Sequence, residues 1–320
     1  VTTSSLQPDG VEARGMIGEL QPGGIRVGIV GLGLVGGSLG MALSSGDAGW
    51  RVLGFDAAPG TGEKALARGA IDEVAPSLAD LASRTDIIVV AVPTSHVVSV
   101  VLEAARHAKP HTVITDCGSV KAPVVEALAA LRSDIDFIGG HPMAGAETQG
   151  IGAARPDLFN GARWALSQVP GRPAGREALE KIERLIRHTG ATPVYVEALE
   201  HDRAVAFCSH MPYVLAVSLA LACWNARERT PVLESLAARS FRDMTRIARA
   251  APEAPLDYCT LNKDHLVEAL DNVIGSLSAV RTALSADESD SLRSMASLAR
   301  RFLFGMDAQD GMYEERRAWR

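Results

Sequence analysis

The chain is predicted to be an α/β protein in two parts, a doubly wound parallel sheet followed by an all-α domain. Three observations carry that expectation. From residue 25 short β-branched runs alternate with helical stretches, a glycine pattern falls at the first strand-to-helix turn, and after residue 196 the β pattern stops in favour of an Ala- and Leu-rich chain. With 320 residues, 47% hydrophobic and 22% charged, the chain is long enough for two cores.

The first 24 residues, "VTTSSLQPDGVEARGMIGELQPGG", are rich in Gly, Pro and Ser and lack an apolar h-region, so a disordered leader is expected there and not a signal peptide. "IRVGIV" opens the sheet at residue 25, and "WRVLGFD", "TDIIVVAVP", "HTVITD" and "DFIGG" follow as strands. Each is nearly continuously apolar, the mark of strands covered by helices on both faces. "RWALSQ" and "TPVYVEA" read as two more, with "GREALEKIERLIRHTG" a helix between them that stops at Gly190. The sheet domain therefore spans 25–196 and the helical domain 197–320. In the latter, "MPYVLAVSLALACW" is the longest apolar run; at 14 residues it is shorter than the roughly 20 of a membrane span and is expected to be a buried helix. Leu292, Met295, Leu298, Phe302 and Leu303 recur at steps of three and four and mark one helix face, which suits an internal core and a subunit interface about equally.

Net charge is -6 and the 32 Lys and Arg are scattered, so there is no basic stripe to track phosphates, and neither nucleic acid nor membrane is an expected partner. Cys117, Cys208, Cys223 and Cys259 lie far apart without a CxxC pair, which fits neither a zinc site nor a disulfide framework and points to a reducing cytoplasm.

In "IRVGIVGLGLVGGSLGMAL", Gly31, Gly33 and Gly36 have GxGxxG spacing between a predicted strand and a predicted helix. The first glycine allows a tight turn, the second lets backbone approach a pyrophosphate, and the third lets the helix pack on the strand, while the helix N-terminus attracts phosphate charge. Asp56 ends the second strand twenty residues after Gly36, where a carboxylate accepts hydrogen bonds from ribose hydroxyls and repels a 2'-phosphate. The expectation is a Rossmann-type domain that binds NAD in preference to NADP. Pro93, Thr94 and Ser95 in "AVPTSH" follow a strand at its carboxyl end and are candidates to edge the cofactor.

"TDCGSVK" and "GGHPMAGAETQG" are expected on the same carboxyl edge, facing the nicotinamide. A neutral histidine there can accept a proton as a hydroxyl carbon gives up hydride, since an imidazole pKa near 6.5 suits neutral pH. Taken alone, His141 would by default be a packed, hydrogen-bonded side chain; its place at the sheet edge, after the glycine fingerprint, favours proton transfer. No second His or Cys stands at ligand spacing, so no metal is expected. Ser119 can hydrogen-bond the same hydroxyl, and Lys121 is read as either a local ion-pair partner or the start of the next helix.

"GLGLVGGSLG", "DCGSVK", "GGHPMAGAETQG", "EHDRAVAFCSHMPYVLA" and "SFRDMTRIA" together resemble the prephenate dehydrogenase (TyrA) family over about residues 25–305. The resemblance implies a nucleotide-binding domain joined to a helical dimerisation domain, a homodimer, and NAD-dependent oxidative decarboxylation of prephenate to 4-hydroxyphenylpyruvate in tyrosine biosynthesis. By motif, His141 is the base on the ring hydroxyl and Ser119 orients it. Arg246 is the arginine for a substrate carboxylate, which a guanidinium fork suits, and Arg242 is more simply a solvated neighbour. His201, Ser209 and His210 match positions near the substrate. Tyr213 in "SHMPY" stands where the family often has a histidine, and both prephenate and arogenate fit the motifs. The chain ends at "GMYEERRAWR", so no regulatory domain is expected after the helices, and any inhibition by tyrosine would act near the active site.

Overall fold

The computed structural model describes residues 24–45 and 49–318. The leader expected over 1–24 lies, apart from Gly24, outside the described residues. The chain divides into two compact units between Val196 and Glu197.

The first unit contains β1 (Ile25–Val30), β2 (Trp50–Phe55), β3 (Glu73–Val74), β4 (Ile87–Val90), β5 (Val113–Asp116), β6 (Asp136–Pro142), β7 (Arg163–Gln168) and β8 (Thr192–Tyr195). Interleaved with them are α1 (Leu34–Ser44), α2 (Thr61–Ala67), α3 (Leu78–Arg84), α4 (Thr94–His107), α5 (Ala122–Ala127) and α6 (Arg176–His188). The strands form one sheet in the order β3-β2-β1-β4-β5-β6-β7-β8. The order in which strands are added reverses between the parallel neighbours β1 and β4, and open α/β sheets bind ligands at the carboxyl ends of the strands at such a switch point.

Val27, Ile29, Ile87, Val89 and Ile114 are fully buried, as their two-sided helical cover demands. Burial of each such side chain contributes about 1.5–3 kcal/mol. On α6, Ala178, Ile182, Leu185 and Ile186 form the buried face, and the helix ends before Gly190, whose φ of 82° only glycine adopts without strain.

Three features depart from the expected pattern. The edge strand β3 is only two residues long, too short to leave a periodic signal. β7 runs antiparallel to β6, so the sheet is mostly rather than wholly parallel. The cause is the connection: between β6 and β7 the chain makes only a 3₁₀ turn (Ile151–Ala153), without a crossover helix to carry it back, whereas α6 returns it to a parallel β8. Finally, β6 continues past "DFIGG" through Pro142, so His141 lies in the strand, opposite Ala165.

The second unit is helical, as expected. It comprises α7 (Ala198–Val205), a π-helical turn (Ala206–His210), α8 (Met211–Ala226), α9 (Leu233–Leu236), α10 (Arg239–Thr245), a 3₁₀ turn (Arg246–Arg249), α11 (Glu253–Leu261), α12 (Lys263–Ser285) and α13 (Ser289–Ala318). The run "MPYVLAVSLALACW" does form a helix, α8, but within one chain it is not a buried one. Ala216 is its one buried residue, while Leu221 is 55% and Trp224 60% exposed. The helix is apolar around its whole circumference, and neighbouring helices of the same chain reach only part of it. The continuous helical stretch Ala198–Ala226 is, by length and composition alone, long and apolar enough to cross a membrane. The stripe on α13 is likewise open within one chain: Leu298, Phe302 and Leu303 are exposed.

Candidate active site

The glycine loop has the geometry that its spacing predicts. Gly31 has φ +91°, its N–H donates to the Phe55 carbonyl at 2.9 Å, and a Cβ there would lie 2.5 Å from the Ala91 carbonyl oxygen. A Cβ on Gly36 would lie 1.9 Å from the Gly31 carbonyl oxygen, so α1 packs too close to the turn for any side chain. Gly33 differs from both. It caps α1 in an ordinary extended conformation, and a Cβ on it would meet nothing within 4 Å. The protein itself has no need of a glycine there, and the open space beside it lies at a helix N-terminus with no side-chain cap. That space fits the pyrophosphate of a dinucleotide. Asp56 closes the loop: one carboxylate oxygen accepts the Leu32 N–H at 2.7 Å and the other the Ala58 N–H at 2.8 Å. Each oxygen keeps a lone pair for ribose hydroxyls.

Three segments meet along the carboxyl edge of β4, β5 and β6. Pro93 precedes α4 as its N-cap and, like Ser95, is exposed, while Thr94 is buried. The Thr94 hydroxyl accepts the Ser119 N–H at 3.0 Å, which ties the first segment to the second. Asp116 and Lys121, both fully buried, join the second to the third. Asp116 Oδ2 accepts the Gly118 N–H at 2.8 Å and a hydrogen bond from Lys121 Nζ, and its Oδ1 accepts the Gly140 N–H at 2.9 Å. Lys121 Nζ donates further to the Gly140 carbonyl at 2.7 Å, and Lys121 is also the N-cap of α5. Both readings of this lysine hold at once. His141 follows Gly140 and is 7% exposed, and Ser119 follows Gly118 and is half-buried.

Gly140 itself is explained by packing inside the sheet. A Cβ there would lie 2.4 Å from the Asp116 carbonyl oxygen, 2.8 Å from Thr115 Oγ1 and 3.0 Å from Trp164 Nε1. Asp116 stands inside the quoted motif "TDCGSVK", but nothing in its spacing announces that its carboxylate would reach a strand 24 residues away.

In the helical unit a second polar cluster is buried. His201 Nδ1 lies 2.7 Å from Asp202 Oδ1, with both side chains at most 3% exposed. The Asn262 amide donates to the Asp202 carbonyl at 2.7 Å and approaches His210 Nδ1 at 3.1 Å. His210 is fully buried in the π-helical turn, a distortion that recurs at functional sites. Its ring stacks on Tyr258 at 4.4 Å, and Tyr213 meets Tyr258 edge-on at 6.3 Å. Burial pushes the His210 pKa down to about 4. It is therefore neutral at pH 7, with Nδ1 accepting from Asn262 and the proton on Nε2. Ser209 lies in the same turn, half-buried. Arg246 opens the 3₁₀ turn after α10 with its side chain exposed, and Arg242 is exposed on α10. The sequence motifs named the two histidines and Tyr213; Asn262 and Tyr258, from another part of the chain, join them only in the folded unit.

The chain is similar in sequence and fold to known proteins. The family model of the prephenate dehydrogenase nucleotide-binding domain matches residues 39–195, and that of the prephenate dehydrogenase dimerization domain matches residues 197–297. The prephenate dehydrogenase of Bacillus subtilis is 32% identical over 89% of this chain and 75% of its own length. Among solved structures, a prephenate dehydrogenase from A. aeolicus in complex with hydroxyphenyl propionate and NAD+ is 25% identical with a TM-score of 0.78, covering 87% of this chain and 97% of that one. An arogenate dehydrogenase from Synechocystis is 29% identical with a TM-score of 0.73, covering 86% and 98%. With a nucleotide-binding sheet, a following helical unit and the sequence motifs of both, this chain belongs to the prephenate dehydrogenase family.

Proposed function

We propose that this protein catalyses the NAD-dependent oxidative decarboxylation of prephenate to 4-hydroxyphenylpyruvate and carbon dioxide. The observation that carries the reading is the carboxyl edge of the sheet, where Thr94 and Asp116 tie the segments bearing Ser119 and His141 beside a glycine loop with room for a pyrophosphate. NAD, when bound, supplies the hydride acceptor. Gly31, Gly33 and Gly36 would shape its pyrophosphate site, Asp56 would accept hydrogen bonds from its ribose hydroxyls, and Pro93, Thr94 and Ser95 would edge it.

His141 draws on the proton of the ring 4-hydroxyl while hydride leaves the same carbon. Ser119 hydrogen-bonds that hydroxyl and keeps it in line. As the ring carboxylate departs as carbon dioxide the ring becomes aromatic, and the proton ends on the phenol oxygen, so no net proton is released. Arg246 binds a substrate carboxylate through its guanidinium fork. By motif, His201, Ser209, His210 and Tyr213 are the residues for the substrate side chain, and burial holds His210 neutral.

The protein acts as a homodimer through its helical unit, which accounts for the apolar faces of α8 and α13 left open in one chain. Its four cysteines, all free, suit a cytoplasmic enzyme.

One observation favours a second reading, arogenate as substrate. Tyr213, packed against Tyr258, stands where relatives often carry a histidine that faces the substrate side chain. Initial rates with prephenate and arogenate, each with NAD and NADP, decide between them; turnover of neither would overturn both readings. His141→Asn is expected to lose turnover by about 10²-fold or more while still binding NAD. Unchanged turnover in that variant would remove His141 from its role.

A further inference from the structure

Asp116 and Lys121 form an ion pair with no exposure to solvent, and it has no place in the chemistry just described. Such a pair is a poor source of stability, because the cost of removing two charges from water offsets most of their attraction. What distinguishes this one is where its hydrogen bonds go. Asp116 grips the N–H of Gly118, the residue before Ser119, and the N–H of Gly140, the residue before His141. Lys121 Nζ spans the same gap from the other side, bonded to Asp116 and to the Gly140 carbonyl. Both peptide groups of Gly140 are thereby held by one ion pair, and the glycine's missing side chain is what lets β6 come this close to β5.

We propose that Asp116 and Lys121 are positioning residues that hold the Ser119 segment and the His141 strand at a fixed separation, so that both reach one substrate hydroxyl. The inference rests on the assignment of Ser119 and His141 made above. Neither Asp116 nor Lys121 touches substrate in this scheme. A neutral hydrogen-bonding pair could join the two segments, but a carboxylate with three donors and an ammonium with two acceptors fix them more rigidly, since charge-assisted bonds are shorter and stronger. Reacting groups lose about 10²-fold in rate when displaced by about 1 Å, so a device that touches no reacting atom governs turnover by placing the groups that do.

The test is a double-mutant cycle on the full-length enzyme with Lys121→Met and His141→Asn, reading kcat, prephenate KM, NAD affinity and thermal melting. Lys121→Met alone should lower kcat by about tenfold or more, with KM and NAD affinity changed by less than about threefold. In the His141→Asn background the same substitution should change kcat by less than about threefold, because no base remains to be placed. Equal losses in both backgrounds, or a wild-type kcat in a folded Lys121→Met protein, overturn the proposal. Where Lys121→Met fails to fold, the neutral pair Asp116→Asn with Lys121→Met replaces it in the cycle. Failure of that variant to fold as well would make the pair a folding element and overturn the positioning role. Full turnover in His141→Asn alone marks failure of the underlying assignment instead, which keeps the two results separate.

Discussion

The sheet unit and the helical unit solve the same problem of apolar burial in opposite ways. In the sheet unit the strands β1, β4 and β5 are enclosed by helices of their own chain, and Val27, Ile29, Val89 and Ile114 have essentially no exposure. In the helical unit the buried apolar residues are few and mostly small, among them Ala206, Ala216, Ala269 and Ala283, while Leu221, Trp224, Ile274, Leu277, Leu298 and Phe302 are exposed. A single chain thus completes the nucleotide-binding half but leaves the other half with apolar surface that water does not favour. Its described interior depends more on polar contacts, centred on Asp202, Asn262 and His210.

The open faces of the helical unit are where this difference is most easily tested. Leu298→Glu with Phe302→Glu is expected to raise the dissociation constant of the proposed dimer by about 10³-fold, read by sedimentation, with NAD affinity unchanged. A dimer of wild-type strength would show that α13 is not covered by a second copy.

The polar interior of the helical unit makes a second difference, which acid should expose. Between about pH 6.5 and 4 the unfolded chain takes up a proton that buried His210 refuses, so the unfolded state binds more protons and stability falls as pH drops. The contribution is complete above about pH 6.5 and amounts to at most about 3 kcal/mol. Melting at fixed protein concentration across that window should show the loss, and His210→Gln should flatten it. An equally steep loss in the variant would place the acid sensitivity elsewhere.

Smaller effects should separate the two units by function. Arg246→Ala should raise the prephenate KM by about tenfold and leave NAD affinity intact, since the substitution lies in the helical unit. Equal KM would take Arg246 out of the site. Asp56→Ala should narrow the preference for NAD over NADP by about fivefold in kcat/KM while sparing the melting temperature of the protein to within a few degrees. An unchanged ratio would count against a ribose contact.

Most of the site residues that proved informative were legible as types but not as partners. Gly31 and Gly36 could be assigned from spacing because a turn and a helix contact are local demands, and the structure gives each a backbone oxygen within 2.5 Å of its absent Cβ. Gly140 has no such local signal, since what fills its space comes from β5 and β7. Lys121 could be read as a helix start or an ion-pair partner, and no periodicity could show that it is both. α8 was readable as an apolar helix, but whether a helix is covered depends on which neighbours arrive, and in one chain they reach little of it.

The sequence by itself determined the alternation of strands and helices, the glycine turn with its acidic partner at Asp56, and the change to helices after residue 196, because each rests on residues close together in the chain. Only the tertiary structure decided that β7 opposes β6, that Gly140 sits against Thr115 and Trp164, and that one buried carboxylate holds the segments before Ser119 and His141. Those are pairings between distant segments, and their energies depend on a distance and an angle that no short stretch of sequence contains.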